Sequence, residues 1–332
     1  MNLLSFGPMI DNDLCAQFRY VGAQHLLKHI VCLGENFLIE YNQVRPSALL
    51  AIAEIIKSQR LPVLNLSVNP MVAKEYLPLL IKHFDADKFF VLNSDCRPQY
   101  SSESNIAPWP AALLLQQCAN RDYTVNFDKI YRISALMRQT RLHRLALMEE
   151  IQYLTTEHDV VVANKPVENN IPISLQGAQY TPWIKNLPWA NKNEFLDLEC
   201  TNNVFNYTEI NHPAYRAMIN ITNESWCGNN TLFISEKTWK AYASACMVVN
   251  YGSTDMPDQL EKFGFEIWKE YDVTCDYQLK IKIIAELFQR PDIEYLYKKN
   301  IEMIRHNQQL SVSIDLARRL TALAIEKITN LL

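Results

Sequence analysis

The chain has 332 residues, 48% of them hydrophobic, which is length and apolar content enough for two ordinary cores. Its net charge of −4 gives no global reason to bind nucleic acid or an anionic membrane. No apolar run reaches the length of a membrane span, and Met1–Phe18 lacks the basic start and apolar centre of a signal peptide, so cytoplasmic residence is expected. Eight scattered cysteines without a CxxC pair, and seven histidines without HExxH or HxH, predict neither a disulfide framework nor a zinc site.

Taken in order, the chain alternates short apolar runs with helical patterns. A first strand and loop are expected within the first 25 residues, followed by strand-like runs in Ile30–Ile39 around Gly34-Glu35. Helices are predicted over Ser47–Ser58, Met71–Phe84 and Ala111–Ala119, and strands over Leu61–Val68 and Phe89–Leu92. Cys96–Ala111 reads as a Pro-, Ser- and Asn-rich loop. Past a crossover near Asp122–Phe127 the alternation restarts with a strand over Ile130–Met137 and a helix whose apolar face is Leu142, Leu145, Met148 and Ile151. Arg138, Arg141, His143 and Arg144 crowd the junction between them. Cations there oppose the helix dipole, so they are either a solvated basic start or a holder for an anionic ligand. A strand follows over Asp159–Ala163, and residues 164–213 are long and weakly periodic.

Ala217–Gly252 then reads as strand, loop, helix, strand. The first strand is Ala217–Ile221, Thr222–Asn230 is a polar turn, and Ser235 is a helix N-cap. Trp239, Tyr242, Ala243 and Cys246 share one face, and Cys246–Val249 opens the second strand. Lys237 in the first helical turn is either simply solvated or, with the free N–H groups of that turn, part of a phosphate seat. Beyond it come a helix over Met256–Phe263, a strand over Phe265–Trp268 and helices over Tyr277–Gln289 and Ile293–Gln308. The last is Ser313–Leu332, with Leu316, Leu320, Leu323, Ala324 and Leu331 on one face. Alternation of this kind predicts an α/β fold with parallel, helix-covered sheets. The seven glycines, at 7, 22, 34, 177, 228, 252 and 264, are too dispersed for GxGxxG or a P-loop. A phosphate-binding protein of this sequence must therefore use side-chain cations and helix ends.

The stretches Ile219–Ser225, Ile234–Lys237 and Met247–Ser253 resemble the donor-nucleotide motif of the α1,3-fucosyltransferases, which are GT-B glycosyltransferases. Three positions depart from that motif. Asn223-Glu224-Ser225 stands for Glu-Asn-Ser, Ala245 for the usual Gly before the second strand, and Val248 for the usual Pro within it. The resemblance implies two Rossmann-like domains facing a cleft, with the C-terminal helix crossing back to the first. The corresponding division is an acceptor-side domain at residues 1–125, a nucleotide-sugar domain at 126–312 and the returning helix at 313–332. It implies inverting, metal-independent transfer from a nucleotide-sugar co-substrate, with no other cofactor. Arg144, or next Arg141, is then the phosphate-contacting arginine, Lys237 its partner and Glu236 the ribose-binding carboxylate. Asn223, Glu224 and Ser225 are candidates for donor sugar or phosphate.

Inverting transfer needs a general base to deprotonate the acceptor hydroxyl. The candidates are Asp95, just past the strand Phe89–Leu92, and Glu35 in the Gly34-Glu35-Asn36 turn. Metal-dependent transfer would call for Asp-x-Asp after a strand, and Asp11/Asp13 and Asp85/Asp87 are both poorly placed for it. The acceptor is left open among a glycan, a small molecule and a modified nucleic acid, which the three arginines would suit. The rival reading is a GT-B-like protein that binds a nucleotide or a partner without turnover.

Overall fold

The computed structural model describes residues 4–6, 18–33, 63–65, 90–93, 106–108, 127–137, 142–163, 213–228, 232 and 234–331. The helices expected over Ser47–Ser58, Met71–Phe84 and Ala111–Ala119 lie outside these residues. The chain divides into two compact units, one of Met1–Asn120, Thr231–Ile234 and Ser313–Leu332, the other of Arg121–Asn230 and Ser235–Val312. Both are α/β with parallel sheets. Among the described residues no helix is long and apolar enough to cross a membrane.

The first unit carries a five-stranded sheet in sequential order, β1 (Leu4–Phe6), β2 (Ile30–Leu33), β3 (Val63–Asn65), β4 (Phe90–Asn93) and β5 (Ile106–Pro108). Every pairing in it is parallel. Strand β5 corrects the expectation of loop throughout Cys96–Ala111, because three residues ending in proline are too few to show a period. A 3₁₀ turn over Gln24–His29 leads into β2. Ile314–Leu331 is helical and packs on β4 and β5, burying Leu316, Ala317, Leu320, Ala324 and Ile328.

The second unit is built on β6 (Tyr131–Met137), β7 (Val160–Ala163), β8 (Ala217–Gly228) and β9 (Met247–Ser253), ordered β7-β6-β8-β9. All three pairings are parallel. The chain runs outward from β6 to β7, then returns to the other side of β6 for β8 and β9. The direction of winding therefore reverses between β6 and β8. Right-handed crossovers then place the helix after β6, α1 (Leu142–Ile151), and the helix after β8, α2 (Glu236–Ala243), on opposite faces.

The two faces differ in chemistry. On one, Ile133, Ala135, Met137, Ile219, Ile221, Met247 and Val249 meet Leu147, Met148 and Ile151 of α1. Two further helices, α3 (Tyr277–Gln289) and α4 (Ile293–Lys299), complete this core with Ile281, Ile284, Leu287, Phe288, Leu296 and Tyr297. On the other face the same strands present Ser134, Asn220, Thr222 and Asn250, all buried, the first three joined by bonds from Asn220 Nδ2 to Ser134 Oγ (2.8 Å) and from Thr222 Oγ1 to Asn220 Oδ1 (3.2 Å). Helix α2 seals that side with Trp239 and Tyr242 against Phe265, Tyr242 stacking on it at 4.5 Å between ring centroids.

Several element boundaries differ from the sequence reading. β8 continues through Thr222–Gly228, where a polar turn was expected, but its register breaks there. It advances from Asn223 to Gly228 while β9 advances only from Tyr251 to Ser253. Phe265–Trp268 is no strand, because Asn307 takes the place of a partner strand. Its Oδ1 accepts from Glu266 N–H at 2.8 Å and its Nδ2 donates to the Glu266 carbonyl at 2.7 Å. The helix expected over Ile293–Gln308 is two, α4 and Ile301–Ser311, divided at Asn300, whose side chain donates to the Leu296 carbonyl at 2.8 Å.

Both α2 and the helix Met256–Lys262 end in Schellman motifs. After α2, Cys246 N–H reaches the Ala241 carbonyl and Ala245 N–H that of Tyr242; after the other, Phe265 reaches Leu260 and Gly264 reaches Glu261. The left-handed position is Gly264 (φ 99°) in one and Ala245 (φ 55°) in the other. Ala245 thus carries Cβ strain of about 1–2 kcal/mol where a glycine is usual. Ala245→Val should destabilise the protein by about 2 kcal/mol or more, since a β-branched residue there is a backbone outlier. Ala245→Gly should change stability by less than about 1 kcal/mol, strain relief being offset by the freer unfolded chain. Equilibrium denaturant unfolding measures both.

Candidate functional site

In open parallel sheets ligands settle beyond the carboxyl ends of the strands where the winding reverses. Here that point lies between β6 and β8. Arg144, Asn223, Glu224 and the first turn of α2 meet at this edge.

Arg144 belongs to the inward stripe of α1 with Leu147, Met148 and Ile151, and is 3% exposed. The sequence reading had Met148 and Ile151 on that stripe but also Leu145, which is half-buried; Arg144 and Leu147 take the inward places instead. The Arg144 guanidinium donates through Nη2 to the carbonyls of Asn223 (2.9 Å) and Glu224 (3.0 Å). Its neighbour His143 places Nε2 3.2 Å from the same Glu224 carbonyl, which only accepts, so that nitrogen carries the proton. The backbone of His143 is held in turn by the Tyr251 hydroxyl at 2.7 Å.

Glu224 is fully buried. Its Oε1 accepts from Ser235 N–H at 2.9 Å and from the Thr238 hydroxyl at 2.7 Å. In an ordinary capping box a glutamate at the fourth residue of the motif reaches back to the N-cap N–H. That position here is Thr238, and the carboxylate arrives from β8 instead. The start of α2, read from the sequence either as simply solvated or as part of a phosphate seat, thus already holds a side chain of the protein itself, Glu224, on its N-cap N–H and the Thr238 hydroxyl. Lys237 is half-buried. Its N–H and its Nζ both lie 3.2 Å from Ser235 Oγ.

Beneath this edge runs a second group of buried polar residues. Thr238 Oγ1 lies 3.5 Å from Asn250 Oδ1, and Asp272 accepts from both the backbone (3.0 Å) and the side chain of Asn250. The Asp272 charge is met by Lys280 at 2.9 Å, a pair with exposures of only 1% and 7%. Burial, and secondarily the Asp272 charge, push the Tyr242 hydroxyl well above the usual tyrosine range, partly offset by its hydrogen bond with Asn250. At the far end of α2, Lys129 donates to the carbonyls of Ser244 and Tyr215, a cation where the helix dipole favours one.

The structure therefore brings Arg144, Asn223 and Glu224 into direct contact, and links Lys237 to them through Ser235. The Asn223 amide donates to the Ile221 carbonyl at 3.3 Å, while its Oδ1 is buried without a hydrogen-bond partner among the described residues. Ser225 lies in β8 and Glu236 opens α2. Glu35, Asp95, Arg138 and Arg141, with Asp11, Asp13, Asp85 and Asp87, lie outside the described residues. Thr238, Asn250, Tyr251, Asp272 and Lys280 were not singled out from the sequence. The one available signal was the polar Asn250 inside the otherwise apolar run Met247–Tyr251. Compared with known proteins, the chain matches no family model and no curated protein sequence.

Two measurements follow. Removing one partner of a buried ion pair strands the other, so Asp272→Ala should cost about 3–5 kcal/mol in denaturant unfolding. Tyr242 has a folded pKa raised above its unfolded value of about 10, so its contribution is complete below that pH and declines as pH rises beyond it. Global stability should therefore fall from pH 10 upward, and less steeply in Tyr242→Phe than in wild type. Unfolding curves from pH 8 to 11.5 read the slope.

Proposed function

We propose that the protein is a glycosyltransferase that moves a sugar from a nucleotide-sugar donor to an acceptor hydroxyl, inverting and metal-independent. The GT-B arrangement, two Rossmann-like domains about a cleft, is part of that proposal. The observation that carries it is the placement of Ile219–Ser253. The stretch that resembles the fucosyltransferase donor motif forms strand, helix start and strand beside the reversal point of a parallel sheet, with Lys237 in the first turn of α2. A diphosphate leaving group gains negative charge as the glycosidic bond breaks, and a fixed cation at that edge stabilises it.

In this reading Lys237 meets the diphosphate, and Arg144 holds the Asn223-Glu224 backbone that lines the edge. Asp95, or Glu35, on the acceptor side takes the hydroxyl proton. Donor identity and acceptor class, whether glycan, small molecule or modified nucleic acid, follow from binding assays. The second reading is a nucleotide- or partner-binding protein without turnover, and one observation favours its partner-binding form: the Glu224 carboxylate takes the N-cap N–H of α2 that an external phosphate would otherwise use.

A panel of nucleotide sugars, assayed by thermal shift and by release of nucleoside diphosphate, separates the two. Binding with release that persists in EDTA is expected; binding without release selects the second reading. With the donor so found, Lys237→Ala should lower catalytic efficiency about tenfold to a hundredfold, the loss of one charge-assisted contact of about 1.5–3 kcal/mol. Stability should change by less than about 1 kcal/mol, since that lysine opposes the dipole. Asp95→Asn should keep donor affinity in calorimetry and lose transfer. A Lys237→Ala protein that binds and turns over as wild type overturns the donor-site reading.

A further inference from the structure

We infer that Glu224 is the positioning residue of this donor site, fastening the two cation-bearing helices α1 and α2 to one point of β8. The inference rests on the donor-site reading above. Its basis is that one residue serves the two helices with different groups. The Glu224 carbonyl receives Arg144 Nη2 at 3.0 Å and faces His143 Nε2 at 3.2 Å, both from α1. Its carboxylate receives Ser235 N–H at 2.9 Å and the Thr238 hydroxyl at 2.7 Å, both from the start of α2. The two helices cover opposite faces of the sheet, so a residue that grips both must sit at the edge and expose its backbone to one and its side chain to the other. The register break between Asn223 and Gly228 starts at this residue. Glu224 is also buried in full, so no water competes for these bonds.

The consequence for a ligand is specific. Because the carboxylate holds the N-cap N–H and the Ser235 hydroxyl holds the Lys237 N–H, a diphosphate reaching this already partly capped helix start is met there first by the Lys237 ammonium. Lys237 is tied through Nζ and N–H to Ser235, whose own N–H Glu224 holds. Glu224 therefore acts on the ligand through Lys237, without touching it. A residue of this kind differs from one that merely supports the fold: its effect on binding must vanish when the group it positions is gone.

A double-mutant cycle with inorganic pyrophosphate as the probe, read by calorimetry, tests this. Glu224→Ala should weaken binding about tenfold in the wild-type background and less than about twofold in Lys237→Ala, a coupling expected of residues in one network. Glu224→Gln, which keeps an acceptor in the same place, should restore affinity to within about threefold of wild type. Amide exchange should speed up at least about tenfold over Ser235–Trp239 in Glu224→Ala while α3 keeps its protection. If Glu224→Ala does not fold, Thr238→Val, which removes only the hydroxyl donor, enters the same cycle with the same required coupling. Additive losses overturn the positioning role and leave the donor site standing. Tighter pyrophosphate binding by Glu224→Ala also overturns it, since the vacated helix end is then the better seat. A wild-type protein that binds no pyrophosphate overturns the donor-site reading itself, and this role with it.

Discussion

A carboxylate removed from water must have its charge answered inside the protein, and much of the second unit is arranged around that requirement at Glu224. The start of α2 supplies a backbone donor, a hydroxyl and the positive end of a helix dipole. Close by, Asp272 meets the same requirement with Asn250 and Lys280. Compared with apolar side chains of similar volume, buried charges of this sort add little to stability. What they add is direction: each bond admits one partner at one distance, so β8, β9, α2 and α3 are held in one arrangement.

The asymmetry of the sheet follows. One face is closed by aliphatic and aromatic packing from α1, α3 and α4, which is tolerant of small shifts. The other carries a row of buried hydroxyls and amides beneath α2, which is not. The intolerant face ends at the carboxyl edge, where the winding reverses and where Lys237 stands. Rigidity is thus concentrated under the helix start that the donor reading uses, the condition under which a fixed cation stabilises developing charge without reorganising.

Ala245 shows how a departure from a sequence pattern acquires physical meaning. Read along the chain, an alanine in place of a usual glycine weakens the resemblance. Seen in the fold, it occupies the same Schellman position as Gly264, with the same pair of backbone bonds and a left-handed φ. The Schellman geometry is formed without a glycine, and the left-handed Cβ stands as local strain. The Tyr297 hydroxyl, 2.9 Å from the Ala245 carbonyl, and the Lys129 ammonium on the preceding one hold the turn in place.

The local pattern of the chain was enough to establish the α/β class, the strands β6 to β9, the N-cap at Ser235 and the inward places of Trp239, Tyr242 and Ala243 on α2, though not that the helix ends before Cys246, because period and capping are properties of neighbouring residues. It also singled out Arg144, Asn223, Glu224 and Lys237 as candidates. What it could not supply were relations between distant segments. Asn307 substituting for a strand beside Glu266, and Arg144 lying on the buried stripe of α1 against the Asn223 and Glu224 carbonyls, each depend on partners many residues away. The polar run Thr222–Asn230 read as a turn because its composition is that of a turn, whereas pairing with β9 keeps it extended through Gly228. Above all, the start of α2 read either as simply solvated or as a seat for an anion, and only the tertiary structure brought Glu224 to it, at the sheet edge where the register of β8 begins to break.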